Sequence, residues 1–238
     1  MIYLFLLILL LLVAAVFYWL IIVTEGVYLG RRVVVWLYDI TAHKYDGIKQ
    51  FNPPDEQFTI TQPLLEQLGE VQEPLILDVA TGSGRVPFNL LSSSQFHGRI
   101  IGLDASQKML DQAAAKLVPF QGEEDGRYLL VQQTAAALPF ANQTFHAVTC
   151  LEALEFFPSD AAALKEMVRV LRPGGFLMTS RRKGWEGKAF LGRYRSSADF
   201  KQLLDNLGLV EIRSHLWELN YDMITARKRD DWVIGLIR

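Results

Sequence analysis

Between residues 74 and 228 the chain alternates short apolar runs with amphipathic stretches, then breaks that rhythm with two runs that almost touch. "PLILDVA", "GRIIGLD", "RYLLVQQ", "TFHAVTCLEAL" and "GFLMTS" contain short apolar segments suited to strands, the first of them buried on both faces. "GRVPFNLLSSS", "SQKMLDQAAAKL" and "SDAAALKEMVRVL" read as the helices between them. Pro87 fits only the first turn of its helix, Ser106 caps the second, and Ser159 or Asp160 caps the third, which "RPGG" stops. Such alternation predicts a parallel sheet with helices on both faces. After a last helix, "SSADFKQLLDNLGL", the runs "VEIRSHLWEL" and "YDMITARK" lie too close for a parallel crossover and must pair as an antiparallel hairpin.

The start of the chain obeys a different rule. Every residue of Ile2–Val23 is apolar or aromatic, with no charge, Gly or Pro. That length suits a helix crossing roughly 30 Å of hydrocarbon. A signal peptide would carry a charged start, a shorter apolar run and a small-residue cleavage site, none of which is evident. Arg31 and Arg32 follow the span and no Lys or Arg precedes it, so the remaining chain is expected on the cytoplasmic side of a single-pass membrane protein. The expected organisation is a transmembrane helix at 1–24, a juxtamembrane helical segment and cap at 25–70, and an α/β domain at 71–238. In the middle segment, a helix and loop precede "NPPDEQF", where two prolines punctuate the chain, and "TITQPLLEQLG" is a short helix stopped by Gly69. A net charge of −2 gives no nucleic-acid footprint, and the single cysteine, Cys150, rules out an internal disulfide framework.

The loop "LDVATGSGR", residues 77–85, follows the first strand. In open parallel sheets, ligands bind outside the carboxyl ends of the strands, where strand order reverses. Gly82 and Gly84 allow close approach to the backbone, and Ala80 is the next smallest choice. Twenty residues beyond Gly84, Asp104 ends the second strand, where a carboxylate can accept both hydroxyls of a ribose. Pro87 stands where a dinucleotide fingerprint needs its third Gly, which disfavours a nicotinamide oxidoreductase. Asp78 would repel a pyrophosphate but attract an amino group or a sulfonium.

Taken in order, "LDVATGSGR", "IIGLDAS", "AAALPFANQTFHAVTCLEALEFFP" and "VLRPGGFLMTS" resemble the class I S-adenosylmethionine-dependent methyltransferases, most closely the ubiquinone/menaquinone-type and small-molecule branch. The resemblance covers about Tyr38 to Lys228. It implies a Rossmann-like seven-stranded sheet of order 3-2-1-4-5-7-6 with the last strand antiparallel. It implies that Asp78, Ala80, Thr81, Gly82 and Gly84 line the methionine end of the cofactor S-adenosyl-L-methionine. Asp104 then binds ribose, Ala105 and Met109 pack on adenine, and Thr134 and Ala135 meet its edge. Leu151 and Glu152 face the methionine moiety and substrate, while Tyr45 folds over the cofactor. The chain departs from the family at Gln133, Thr134 and Ala135, where Gly-Asp-Ala is usual, and at His146, where Asp follows Phe145.

The implied reaction moves a methyl group from a sulfonium to an O, N or C nucleophile of a lipophilic small molecule or lipid at the membrane. A protein methyltransferase and a non-catalytic binding protein remain alternatives. The sulfonium is already a good leaving group, so the protein aligns the reactants and excludes water. Candidate proton acceptors are Glu155, Glu152 and His43. The two glutamates, three apart, share a face if that stretch is a helical turn. The four histidines lack metal-ligand spacing, so no metal is expected. Residues 181–195, "RRKGWEGKAFLGRYR", hold six basic residues against one acid, interleaved with aromatics. Three readings stand open for them: a solvated loop, a surface for anionic lipid, or a cover for the acceptor pocket.

Overall fold

The computed structural model of the protein describes residues 1–49, 51–69, 71–121 and 126–230. Glu70, at the expected cap boundary, and residues 231–238, included in the expected α/β domain, lie outside the described residues. Helix α1 (Ile2–Tyr18) continues through a π-helical turn at Trp19–Val23. Thr24 ends it: its buried hydroxyl donates to the carbonyl of Trp19 at 3.0 Å, and Gly26 then takes φ +75°. Ile2–Val23 has a mean hydropathy of 3.2 and none of it is buried.

Four short α-helices are described before the sheet: α2 (Arg31–Thr41), α3 (Tyr45–Lys49), α4 (Pro53–Glu56), and α5 (Gln62–Leu68) reached through a π-helical turn at Gln57–Thr61, with a 3₁₀ turn at Ala42–Lys44 between α2 and α3. The two prolines expected to break the chain instead open α4, because a first-turn residue needs no amide donor.

The sheet has seven strands: β1 (Leu75–Val79), β2 (Arg99–Asp104), β3 (Tyr128–Gln132), β4 (Phe145–Cys150), β5 (Leu171–Arg182), β6 (Leu209–Glu218) and β7 (Tyr221–Lys228). Their order is β3-β2-β1-β4-β5-β7-β6, with β7 antiparallel to both neighbours, as expected from the hairpin. β1 is central: Leu77 lies beside Ile101 of β2 and Val148 of β4.

Alternation along β1 sends its residues to two cores. Leu77 and Val79 pack with Leu103, Val148 and Leu177 under α8 (Asp160–Val170) and α10 (Ser197–Asn206). Ile76 faces the other way, with Ile100, Ala147 and Met178, against α5, α6 (Arg85–Leu91) and the end of α7 (Gln107–Leu117). Each buried Leu or Ile side chain contributes about 1.5–3 kcal/mol by leaving water, so this two-sided burial is what fixes the layers. Ser106 and Ser159 cap α7 and α8, accepting from the amides of Met109 and Ala162 at 3.1 Å each.

One boundary differs from expectation. "RPGG" does stop α8, but β5 starts at Leu171, so the four residues sit inside the strand. Phe145 of β4 pairs with Leu171 and Ala147 with Phe176, so the extra residues bulge, with Gly174 at φ +68°. A third, small core of Val27, Val34 and Phe190, with Tyr28, Tyr38 and Phe156 against it, joins the N-terminal segment to the α/β domain. Phe190 directly follows α9 (Gly184–Ala189).

Candidate active site

The loop after β1 turns sharply because three of its residues adopt positive φ: Ala80 (+57°), Gly82 (+56°) and Gly84 (+79°). A Cβ at Gly84 would lie 3.1 Å from that of Ala113, so glycine there lets the loop close onto α7. A Cβ at Gly82 would meet Met109 Cε at 3.3 Å and fill space on the cavity side. Ala80 takes the same left-handed conformation without a glycine's freedom, at a cost of about 1–2 kcal/mol.

Asp104 ties this loop to β2. One carboxylate oxygen accepts from the Gly82 amide and the other from the Ser106 amide, each at 2.9 Å. The Ala105 amide also bears on Asp104, so of a carboxylate's about four acceptor positions only the remainder faces a ligand. Burial raises its pKa, against the pull of those amides. Asp78 is 2% exposed; burial pushes it up to about 6, partly opposed by the Thr149 hydroxyl donating to it at 2.6 Å.

A cavity of about 310 Å³ opens above the strand ends. Tyr45, Ala80, Gly82, Asp104, Ala105, Met109, Thr134, Ala135, Leu151 and Glu152 all line it. So do Arg31, Val34, Val35 and Tyr38 of α2, and Phe156, Phe157 and Ala162 on the far wall. A contiguous recess of about 30 Å³ continues between Asp78, Thr81 and Arg85, sharing Tyr45, Ala80, Gly82, Leu151 and Glu152 with the main cavity. Gly84 lines neither. Burial pushes the Tyr45 phenol far above its usual range, and the Glu152 charge adds to this.

Glu152 is a second carboxylate on the cavity wall. It sits at φ +51°, where the chain turns after β4, and its amide donates to Ser180 Oγ at 2.6 Å. Its side chain accepts from Arg85 at 2.6 Å and pairs with Lys49 of α3. The same Arg85 guanidinium donates a two-pronged bond to Glu56 of α4, 2.6 Å to each oxygen, and reaches Glu218 at 3.2 Å. Phe51 and Trp217 pack on that guanidinium, at 4.3 and 4.8 Å to their ring centres. Asp46 accepts from Ser83 at 2.5 Å and pairs with Lys116 at 2.6 Å. The segment from Asp46 to Glu56 is therefore fastened to the glycine loop by charge pairs, of which Arg85–Glu56 is buried. Arg85, Lys49, Glu56 and Asp46 were not singled out from sequence; only the position of Arg85, directly after "GSG", offered a signal.

Two candidate proton acceptors lie elsewhere. His43 is exposed, because Ala42 is the residue of that 3₁₀ turn that faces inward. Glu155 does not share a face with Glu152, since the positive φ at Glu152 turns the chain between them. It lines a neighbouring cavity of about 290 Å³, which meets the first at Phe157, Pro158 and Ser159, and accepts from the Tyr221 hydroxyl and from Arg182 at 3.4 Å. Burial raises its pKa. His146 is structural: Nδ1 accepts from the Leu75 amide at 3.0 Å, and Nε2 meets Arg172 at 2.8 Å.

Residues 77–179 match the family model described as a methyltransferase domain. The chain is 38% identical to the demethylmenaquinone methyltransferase of Lactococcus lactis over 111 residues, 47% of this chain and 43% of that protein. It is 31% identical to the demethylmenaquinone methyltransferase of Thermotoga maritima over 160 residues, 67% of this chain and 66% of that protein. The chain spans about half the length of the first curated relatives it matches. Its fold is similar to the magnesium protoporphyrin IX methyltransferase of Synechocystis, solved with bound S-adenosylmethionine: TM-score 0.58, 19% identity, 74% of this chain and 80% of that one. With this strand order and these relatives, the chain belongs to the class I S-adenosylmethionine-dependent methyltransferase family.

Proposed function

We propose that the protein is a membrane-anchored methyltransferase that transfers a methyl group from S-adenosylmethionine to a lipophilic, quinone-like acceptor. One observation carries the reading: an apolar cavity whose floor is the glycine loop and Asp104, and whose roof is the chain that leaves the apolar helix. The residues fit the cofactor. Gly82 leaves the space that a side chain would fill, Asp104 turns its remaining acceptor capacity toward ribose hydroxyls, and Ala105, Met109 and Ala135 give an apolar wall for a base. Asp78 supplies the negative charge for the amino acid end.

The cofactor supplies an electrophilic methyl on a sulfonium, so the protein's task is alignment and exclusion of water. Leu151, Phe156 and Phe157 hold the acceptor by apolar contact. Tyr45 closes the cavity over the loop. Glu152 is the candidate group to take a proton from the acceptor, and Arg85 and Lys49 act through it as positioning residues. Glu155 and His43 have no part in this reading. The proposed domain organisation is an anchor at 1–24, a cap at 25–70 and the methyltransferase domain at 71–238, with the domain on the cytoplasmic side. The recurrence of demethylmenaquinone methyltransferases among the relatives supports a quinone-like acceptor.

Calorimetry with S-adenosylhomocysteine tests cofactor binding. Incubating the full chain with methyl-labelled cofactor and a membrane quinone fraction tests the acceptor. Label in the quinone fraction is expected. Label confined to protein overturns the acceptor class, and failure to bind S-adenosylhomocysteine overturns the whole reading.

A further inference from the structure

The basic and aromatic segment at 181–195 has no part in the site above, yet it is fastened to the apolar helix. The Trp19 indole N–H donates to the Ala189 carbonyl at 3.1 Å, the Tyr28 hydroxyl donates to the Leu191 carbonyl at 2.8 Å, and the two rings stack at 4.8 Å. Phe190 turns inward onto Val27 and Val34. Its neighbours turn outward: Trp185 is 72% exposed and Leu191 64%.

Trp19 lies four residues inside the end of the apolar stretch Ile2–Val23. At a rise of about 1.5 Å per residue this is about 6 Å of depth. Interfacial segments settle about 5–10 Å into the boundary between headgroups and acyl chains. A segment hydrogen-bonded to Trp19 shares that depth wherever the helix crosses a bilayer. Trp favours this boundary, and the exposed cations Arg31, Arg32 and Lys188 suit anionic headgroups beside it. Arg31 is exposed while lining the cavity, and Val34 touches both the cavity and Phe190. The opening is therefore next to this contact.

We propose that α9 and the turn after it form a second membrane contact, with Trp185 and Leu191 inserted among anionic headgroups. The cavity mouth at Arg31 then faces the bilayer, and the acceptor enters sideways from the lipid. This rests on the reading of Ile2–Val23 as a membrane anchor, and the test separates the two.

The full chain, whose native Cys150 is buried, is given one new cysteine in turn: Leu191→Cys, Ile8→Cys within the apolar helix, or Leu129→Cys on edge strand β3. Each is labelled with a small environment-sensitive fluorophore and reconstituted into vesicles of equal parts phosphatidylcholine and phosphatidylglycerol containing a spin-labelled lipid. Strong quenching is expected at positions 8 and 191 and none at 129. Quenching at 8 with position 191 as bright as 129 overturns the contact while leaving the anchor standing; a 191 label shielded from water but unquenched means that protein covers the face, and overturns it too. No quenching at 8 removes the anchor and the contact together. The readout is independent of methyl transfer, so a failure of the enzymatic reading leaves it legible.

Discussion

Replacing Asp78 by Asn removes a buried negative charge beside the cavity, and its effect on ligand affinity depends on pH. Burial lifts this carboxyl from 3.8 to about 6. Because the folded value lies above the unfolded one, ionisation costs stability: the penalty is absent below 3.8, grows between 3.8 and about 6, and is complete above that, at about 3 kcal/mol. A cationic ligand group beside Asp78 offsets that penalty and returns the carboxyl toward its ordinary range in the complex. S-adenosylhomocysteine keeps its ammonium throughout this window, so its affinity is expected to be flat above about pH 7 and to fall below pH 6. At pH 5 about one free Asp78 in eleven is ionised, a loss of about 1.4 kcal/mol or tenfold in affinity. Asn at this position does not titrate. Calorimetric titrations of the full chain in detergent, at pH 8 and pH 5, should show Asp78→Asn binding more weakly at pH 8, with the gap closing about tenfold by pH 5. Comparing the two chains cancels every group they share. A ratio of affinities that is the same at both pH values refutes the assignment of Asp78 to the ligand's cationic end.

Further outcomes follow from the same geometry. Asp104→Ala orphans the Gly82 and Ser106 amides and should weaken S-adenosylhomocysteine by about 1.5–3 kcal/mol, measured calorimetrically. Arg85→Met leaves Glu56 and Glu152 without their buried partner and should cost about 3–5 kcal/mol in urea unfolding, with the roof segment gaining amide exchange first. Gly84→Ala forces a side chain into φ +79° against Ala113 and should cost at least about 1–2 kcal/mol in the same assay. Glu155→Gln should leave S-adenosylhomocysteine affinity unchanged, since Glu155 belongs to the neighbouring cavity.

The parallel sheet and its closing antiparallel hairpin were legible because strands alternate with helices and the last two strands nearly touch, whereas the full strand order came from the resemblance to the methyltransferases. The floor of the cavity was legible for a related reason: Gly82 and Asp104 are placed by the ends of consecutive strands, and consecutive parallel strands lie side by side. The roof was not. Arg85 finds Glu56, and Arg85 and Lys49 find Glu152, across 29 to 103 residues of chain, and an isolated charge in sequence looks the same whether it is solvated or buried in a pair. The pairing of Glu152 with Glu155 failed for a local reason. Their three-residue spacing assumes helical φ, and the backbone reverses sign at the first of them. The prolines at 53 and 54 misled similarly, since proline both ends one helix and begins another.

The ceiling of the pocket is made from the stretch of polypeptide that runs directly out of the apolar helix, from Arg31 to Tyr45. Trimming the protein to a water-soluble fragment is consequently hazardous. A fragment starting at residue 71 keeps every strand and the glycine loop yet has no lid, and one starting after Thr24 keeps the lid but loses Trp19 and its hydrogen bond to the last residue of α9. Failure of either fragment to turn over would report the missing wall, not the absence of an enzyme.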